Sequence, residues 1–382
     1  MPAVSDCVRV TARSVSTWNE AAPVWKSLAA ESPHASFFLS YEWVDCWMAV
    51  FGAALRPEII VFEERGEPAG ICMLVRRVVK HGPLPVRRLY LNTDGEDEAD
   101  ETVPEYNSVL CRAGFETAVA QALAGFLLGK RGWDEFVARR LAPGPVERAL
   151  RCAFATLAIE SSAEPAPFVD LERVRRSGAP FEDLLGYATR KHLRQNVRQY
   201  SRTGDLRVET ANTYGDAMRF FDELAMIHQR SWAARGQPGA FASTRFTAFH
   251  RELIARLLPA GRVSLIRVSA GNRTIGILYG FVFDGVLHHY QSGCRYPEDY
   301  RLSPGTVTLS QAIQCCAGRS DLRRFDFMAG GSPYKQWLST GSASVVSLVI
   351  RRPTLRCLLM HILKHARAAA RNGRKRVALH AR

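Results

Sequence analysis

The chain has 382 residues, 47% hydrophobic and 23% charged, with 51 Lys and Arg against 37 Asp and Glu for a formal net charge of +14. This composition excludes an intrinsically disordered chain, and the length exceeds what one hydrophobic core organises, so two domains are expected. The nine cysteines include no Cys-x-x-Cys pair, which excludes a zinc ribbon or disulfide framework and fits buried thiols in a reducing cytosol.

In chain order, Leu39–Phe51 reads as an apolar, Trp-rich helix. Strands follow at Glu58–Glu63 and Ala69–Arg76 around the turn Arg65-Gly66-Glu67-Pro68, and Val86–Leu91 adds a third. Next comes an acidic loop with Asp94, Glu96, Asp97, Glu98, Asp100, Glu101 and Glu105. Its spacing does not fit an EF-hand, so no metal is expected. A solvated loop is the plain reading; the sharper one sets Asp94 and Asp97 on the wall of an interdomain cleft that attracts a cationic acceptor such as a polyamine or aminosugar. Ala113–Leu128 reads as a helix, Asp134–Ala138 as a strand and Pro145–Ala153 as a helix, around a mixed sheet. Ser161–Pro167, rich in small residues and proline, reads as the linker.

Beyond it, Phe168–Leu171 is a strand candidate, Phe181–Thr203 a long basic helix with Arg190, Arg194 and Arg198 on one face, and Leu206–Thr210 a strand. Asp216–Ala233 and Ser243–Leu258 have helical periodicity. Val263–Ser269, Thr274–Phe283 and Val286–Ser292 form a three-stranded meander around Ala270-Gly271-Asn272-Arg273 and Asp284-Gly285. Ser303 is the expected N-cap of a helix over Pro304–Ala317, with proline at its first position. Arg323–Met328 reads as a short strand ending in a glycine turn and a new helix, and Ser342–Ile350 as the last strand.

The segments Arg301-Leu302-Ser303-Pro304-Gly305-Thr306, Asp326-Phe327 and Gly330-Gly331-Ser332-Pro333-Tyr334-Lys335 resemble the C-terminal half of the GNAT acyltransferases. The resemblance is to the CelD/BcsL-like branch, related to the FemABX aminoacyl transferases with tandem GNAT-like domains. It covers roughly residues 35 to 350 and implies an α/β (α+β) protein of two tandem GNAT-like domains, each a mixed, mainly antiparallel sheet flanked by helices. The expected bounds are a degenerate copy at 1–160, without a recognisable phosphate turn, an acyltransferase copy at 161–352, and a basic helix and tail at 353–382. The usual phosphate turn is Arg/Gln-x-x-Gly-x-Gly/Ala; here Arg301 and Gly305 remain and Ser303-Pro304 intrude.

A helix entry offers unpaired N–H groups and a positive dipole end to a pyrophosphate such as that of coenzyme A. Arg301, Ser303, Gly305 and Thr306 are therefore the candidate contacts to acetyl-CoA or another acyl-CoA. Direct acyl transfer to an amine needs a deprotonated acceptor, an oxyanion contact and an acid for the leaving group, without a covalent enzyme intermediate. Asp326 is the candidate to orient or deprotonate the amine, Tyr334 to protonate the leaving group, and Lys335 to stabilise charge. His288, His289 and Tyr290 alternate faces along one strand, which makes His289 a candidate base that points away from its neighbours. Tyr290 and Gln291 are candidate acceptor contacts. No Gly-x-Ser-x-Gly or similar nucleophile signature is present.

Residues 351–382 carry ten Lys and Arg and no acid. Leu355, Leu358, Leu359, Ile362, Leu363 and Ala366 give them an amphipathic helical pattern. This segment and the Arg190 stripe leave three partners to weigh beside a small-molecule or sugar amine: tRNA, an anionic membrane surface, or only the protein itself. DNA is not expected, because no DNA-binding motif is present. No apolar run spans a bilayer and Met1–Trp18 lacks a signal-peptide core, so the expected location is cytoplasmic. Acyl-CoA-dependent N-acyl transfer ranks first among the functions, aminoacyl-tRNA-dependent transfer second, and a noncatalytic polyanion-binding protein third.

Overall fold

Two runs of the same element order build the protein. The computed structural model describes residues 9–81, 84–296, 302–354 and 356–357. The first run is β1 (Thr11–Val15), α1 (Trp18–Glu31), α2 (Tyr41–Trp47), α3 (Ala53–Leu55), β2 (Glu58–Glu64), β3 (Glu67–His81), β4 (Leu84–Leu91), β5 (Leu110–Cys111), α4 (Glu116–Gly129), β6 (Glu135–Leu141), α5 (Pro145–Ala153) and β7 (Ala158–Asp170). After α6 (Leu171–Ser177) and α7 (Tyr187–Ser201), the second run is β8 (Leu206–Thr210), α8 (Tyr214–Ala233), α9 (Thr244–Leu257), β9 (Val263–Ala270), β10 (Arg273–Phe283), β11 (Val286–Cys294), α10 (Pro304–Ala317), β12 (Arg324–Asp326), α11 (Pro333–Leu338) and β13 (Gly341–Arg351).

The strands form one sheet in the order β1-β2-β3-β4-β6-β13-β7-β12-β11-β10-β9-β8, with β5 paired to β3. Read inward from either edge the sequence of roles is the same. Each half ends its meander in a parallel pair, β4 with β6 and β11 with β12. The final strands then cross: β7 pairs with β12 and β13 with β6, and the two run antiparallel to each other from Gly341↔Phe168 to Arg351↔Ala158.

The expected linker Ser161–Pro167 is thus the interior of β7. Proline usually argues against a central strand because it lacks a ladder donor. Here the carbonyls of Pro165 and Pro167 accept from Gly330 and Phe327, past the end of β12 at Asp326. On that side the partner is loop backbone that donates, so no proline N–H is needed.

Other departures are local. The helix expected at Phe181–Thr203 divides into a 3₁₀ turn at Phe181–Leu184 and α7, with Gly186 between them. Leu39–Phe51 divides among a 3₁₀ turn, α2 and a π turn at Met48–Gly52. Sequence reading did not find β1, α1 or α6. The segment expected as a basic amphipathic helix lies, beyond Cys357, outside the described residues.

Helices cover both faces. On one, α1 and α2 share a core with α8 and α9, so that Trp25, Trp43, Phe249 and Phe281 are all buried together and Phe37 stacks on Phe281 at 4.2 Å. On the other, α4 and α5 pack with Leu348 and Ile350 of β13, while α7 and α10 pack with Val169 of β7.

The parallel pairs are short, and each opens into a wedge. In the first half pairing covers Arg88–Tyr90 against Glu135–Val137, and the gap beyond is filled by the chain itself. Asn107 forms a parallel bridge to Leu141, its N–H donates to Arg140 at 2.9 Å, and its side chain accepts from Asn92 at 2.7 Å. In the second half pairing covers Val286–His288 against Arg324–Asp326, and beyond it the gap stays open.

Candidate active site

The open wedge holds a cavity of about 260 Å³. His289, Tyr290 and Gln291 line it from β11, Phe327 to Ala329 from the turn after β12, and Tyr334 and Lys335 from α11. A bulge shapes the β11 wall. Tyr279 faces Gln291 and Gly280 faces His289, so Tyr290 has no partner in β10. Gly280 permits this, since a Cβ there would stand 2.4 Å from the His288 carbonyl oxygen.

Strand alternation holds as expected. His289 faces Phe325 and Phe327, whereas His288 and Tyr290 face Phe38 on the other side. Burial pushes the His289 imidazole down to about 3, so it is neutral, and neither ring nitrogen has a partner among the described residues. The Tyr290 hydroxyl donates to the Thr102 carbonyl, and Gln291 accepts the N–H of Ser292 at 3.1 Å. Tyr334 is half-buried and burial raises its phenol further above neutrality.

Lys335 turns its ammonium onto two carbonyls, Ala329 at 2.6 Å and Met328 at 3.2 Å, and so fastens the glycine turn. Burial lowers its pKa against the opposing pull of Glu105 and Asp326. Asp326 lies behind the wedge. Its oxygens accept from Tyr106 and from the Met328 N–H, both at 2.7 Å, and it borders a separate cavity of about 430 Å³ with His288 and Arg324.

Sequence reading did not single out Glu105, the last acid of the loop. Glu105 lines the wedge, is 4% exposed, and accepts the Ala329 N–H on Oε2 at 2.6 Å. Burial pushes its carboxyl up to about 7, the range of a base at neutral pH. The backbone around it is left-handed at Val103 (φ 46) and Tyr106 (φ 51). For a β-branched valine that conformation is strained, as is common where structure serves a site. The available signal was position: Val103-Pro104 separates Glu105 from the remaining acids. Asp94 and Asp97 stand elsewhere, Asp94 buried against Arg139 at 3.2 Å and Asp97 paired with Arg77.

At the expected phosphate turn, α10 begins at Pro304 as expected, with a correction at its cap. Ser303 makes no side-chain capping bond; its hydroxyl meets His192 at 3.1 Å, and its N–H donates to Asn196 at 2.6 Å. Gly305 and Thr306 lie in the first turn, and Arg301 lies outside the described residues. A Cβ on Gly305 would be 3.7 Å from the Tyr296 hydroxyl. Tyr296 also borders a cavity of about 360 Å³ with Arg230, Arg235, Arg273 and Arg295. On α7 the expected cationic stripe is partly neutralised, because Arg190 and Arg194 both pair with Asp183. Among the described residues no His, Cys, Asp and Glu group could hold a metal, and no helix is long and apolar enough to cross a membrane.

Residues 188–336, from α7 to α11, match the Acetyltransferase (GNAT) domain family. That span contains every second-half residue of the wedge and of the turn into α10 named above. No curated protein matches the chain. Among solved structures, FemX is similar with a TM-score of 0.52 and 9% identity, over 92% of this chain and 99% of FemX. A conserved protein of unknown function from Bacteroides thetaiotaomicron VPI-5482 is similar with a TM-score of 0.51 and 7% identity, over 89% of this chain and 99% of that one. At these identities the likeness is one of fold, and it extends through both halves.

Proposed function

As a GNAT-superfamily N-acyltransferase on the fold of FemX, the chain has a reaction class, and we propose that it transfers an acyl group, acetyl in the simplest case, from acyl-CoA to an amine in the β11–β12 wedge. The observation that carries this reading is Glu105: a nearly buried carboxyl raised to about 7 on the wall of the only wedge the chain leaves open among its described residues.

The amine enters as its ammonium form, and Glu105 takes a proton from it. The freed nitrogen lone pair attacks the thioester carbonyl carbon. Negative charge then develops on the carbonyl oxygen beside the β11 backbone past His288, where pairing with β12 has ended. Collapse of the tetrahedral intermediate breaks the carbon–sulfur bond; the thiolate takes a proton from the Tyr334 hydroxyl, the nitrogen gives its remaining extra proton to the phenolate so formed, and Glu105 releases its proton to solvent to restore the starting state. Lys335 holds the turn that carries the Ala329 N–H to Glu105, and its charge favours the oxyanion. Neutral His289 fits a polar wall better than a base. The first turn of α10, with Gly305 and Thr306, takes the pyrophosphate.

The test is calorimetric titration with acetyl-CoA, in parallel with bulk aminoacylated tRNA at two salt concentrations. Saturable acetyl-CoA binding, followed by amine-dependent thiol release, is the expected result. Failure to bind acetyl-CoA with tight tRNA binding favours a second reading, transfer from aminoacyl-tRNA. The four arginines beside the α10 entry are the observation for it, because clustered guanidinium groups suit a polyphosphate chain.

A further inference from the structure

A larger cavity of about 770 Å³ opens in front of β4, β6 and β13, and Glu101 belongs to both its wall and that of the wedge. Consecutive strand residues point to opposite faces, yet Arg139 and Arg140 both line this cavity. A bulge is the cause. Val346 faces Leu141 and Leu348 faces Ala138, so Arg139 and Arg140 together oppose Ser347. Arg140 is left-handed at φ 48, and its N–H donates to the Ser347 hydroxyl at 3.0 Å.

The two arginines then differ in their partners. Arg139 pairs with Asp94 at 3.2 Å and Glu101 at 2.7 Å. Arg140 has no ion pair among the described residues, and its Nη1 is buried without a hydrogen-bond partner. A bulge that brings a left-handed arginine to the cavity wall, with no carboxylate paired to it among the described residues, leaves a positive charge there that an anionic ligand would compensate. Arg140 also lies close enough to the wedge to be felt by Lys335 and Glu105.

We propose that Arg140 binds an anionic group of the acceptor, so that the acceptor is an amine that also carries a carboxylate or a phosphate. Its amine sits beside Glu105 and its oxyanion on Arg140, with Glu101 at the passage between them. The guanidinium fork matches either oxyanion in two parallel hydrogen bonds, which an ammonium does not do. This rests on the acyl-transfer reading for the amine end only.

The test uses matched probes that differ in the anion alone: lysine with cadaverine, and glucosamine 6-phosphate with glucosamine. Binding is measured without donor by ligand-observed NMR titration, and acyl transfer separately by thiol release. The wild type should prefer the anionic member of at least one pair by about tenfold or more, as loss of a buried charge partner predicts. The pair identifies which oxyanion is read. Arg140→Gln should bring that preference to parity while leaving binding of the probe without the anion unchanged, and Arg140→Lys should restore part of it. Equal binding of both members in both pairs by the wild type overturns the proposal, as does a preference that survives Arg140→Gln. If Arg140→Gln fails to fold, Arg140→Lys decides, since an undiminished preference there removes the two-bond recognition. Anion-dependent binding without acyl transfer leaves Arg140 in place and refutes the reaction, whereas acyl transfer indifferent to the anion does the reverse.

Discussion

Glu105 is held by one backbone N–H, that of Ala329, and by its burial between the halves, so its chemistry depends on being dry and singly tethered. A base must be ionised to accept the proton, so kcat/KM should rise as pH climbs through about 7. Glu105→Gln should lower kcat/KM by about 10²–10⁴-fold and abolish that limb, with acetyl-CoA affinity unchanged. A wild-type pH profile in the variant removes Glu105 from catalysis. Glu96 allows an independent check on stability. Its carboxyl, also raised to about 7 from 4.5 by burial, accepts from Trp47 at 2.6 Å and Thr102 at 2.7 Å on Oε1, while Oε2 is buried and unpartnered. The folded state therefore holds protons that the unfolded state releases, and stability is full below about 4.5 and declines as pH rises toward about 7. Glu96→Gln should raise the melting temperature more at pH 8 than at pH 5, as thermal scans at the two values would show. At this scale the sequence was informative where strand periodicity decides, as at His289. It was weak where tertiary burial decides: Glu96 reads the same as the exposed Asp97 and Glu98 after it, and Glu105 is set apart only by the Val103-Pro104 before it.

Elements with local signals were legible almost to the residue. Pro304–Ala317, Pro145–Ala153 and Leu206–Thr210 each carry their own punctuation, and each has the expected bounds. Of β7 only the end was legible, as the strand read at Phe168–Leu171; the Ser161–Pro167 part was not, because its prolines are accommodated by contacts with a loop more than 150 residues later in the chain. The Ser303 cap failed for a similar reason: Asn196 and His192 on α7 claim its amide and hydroxyl. With no side-chain cap on α10, its first-turn amides remain available to an anion. Gly305→Asp separates the two consequences of that state. A carboxylate in the first turn favours the helix dipole, and its Cβ has only ordinary contacts, at 3.7 Å and 3.8 Å. The melting temperature should hold or rise slightly while acetyl-CoA binding falls below detection in a calorimetric titration. Unchanged affinity would move the donor site away from α10.

Over the whole molecule, the duplication and the strand exchange have opposite effects. Duplication supplies two wedges, but the Asn107 segment closes the first and extends across to the second, where Glu105, Tyr106 and Thr102 contact Ala329, Asp326 and Tyr290. The first half thus forms one wall of the open wedge in the second half. Exchange binds the halves more tightly still. Leu348 and Ile350, on the last strand of the chain, are fully buried in the core beneath α4 and α5, more than 180 residues earlier. Loss of one such side chain from a packed core costs about 2–5 kcal/mol, and a domain has only about 5–15 kcal/mol of stability in total. Removal of residues 341–382 should therefore unfold the first half together with the second, although the first half ends long before the cut. Thermal unfolding followed by tryptophan fluorescence is a direct measure, because Trp25, Trp43, Trp47 and Trp133 are all buried in the first half. The shortened chain should show no cooperative transition, and the full chain should show one. If the shortened chain keeps a tryptophan transition near that of the full chain, the first half folds by its own local contacts, and the exchanged strand serves only to align the two halves.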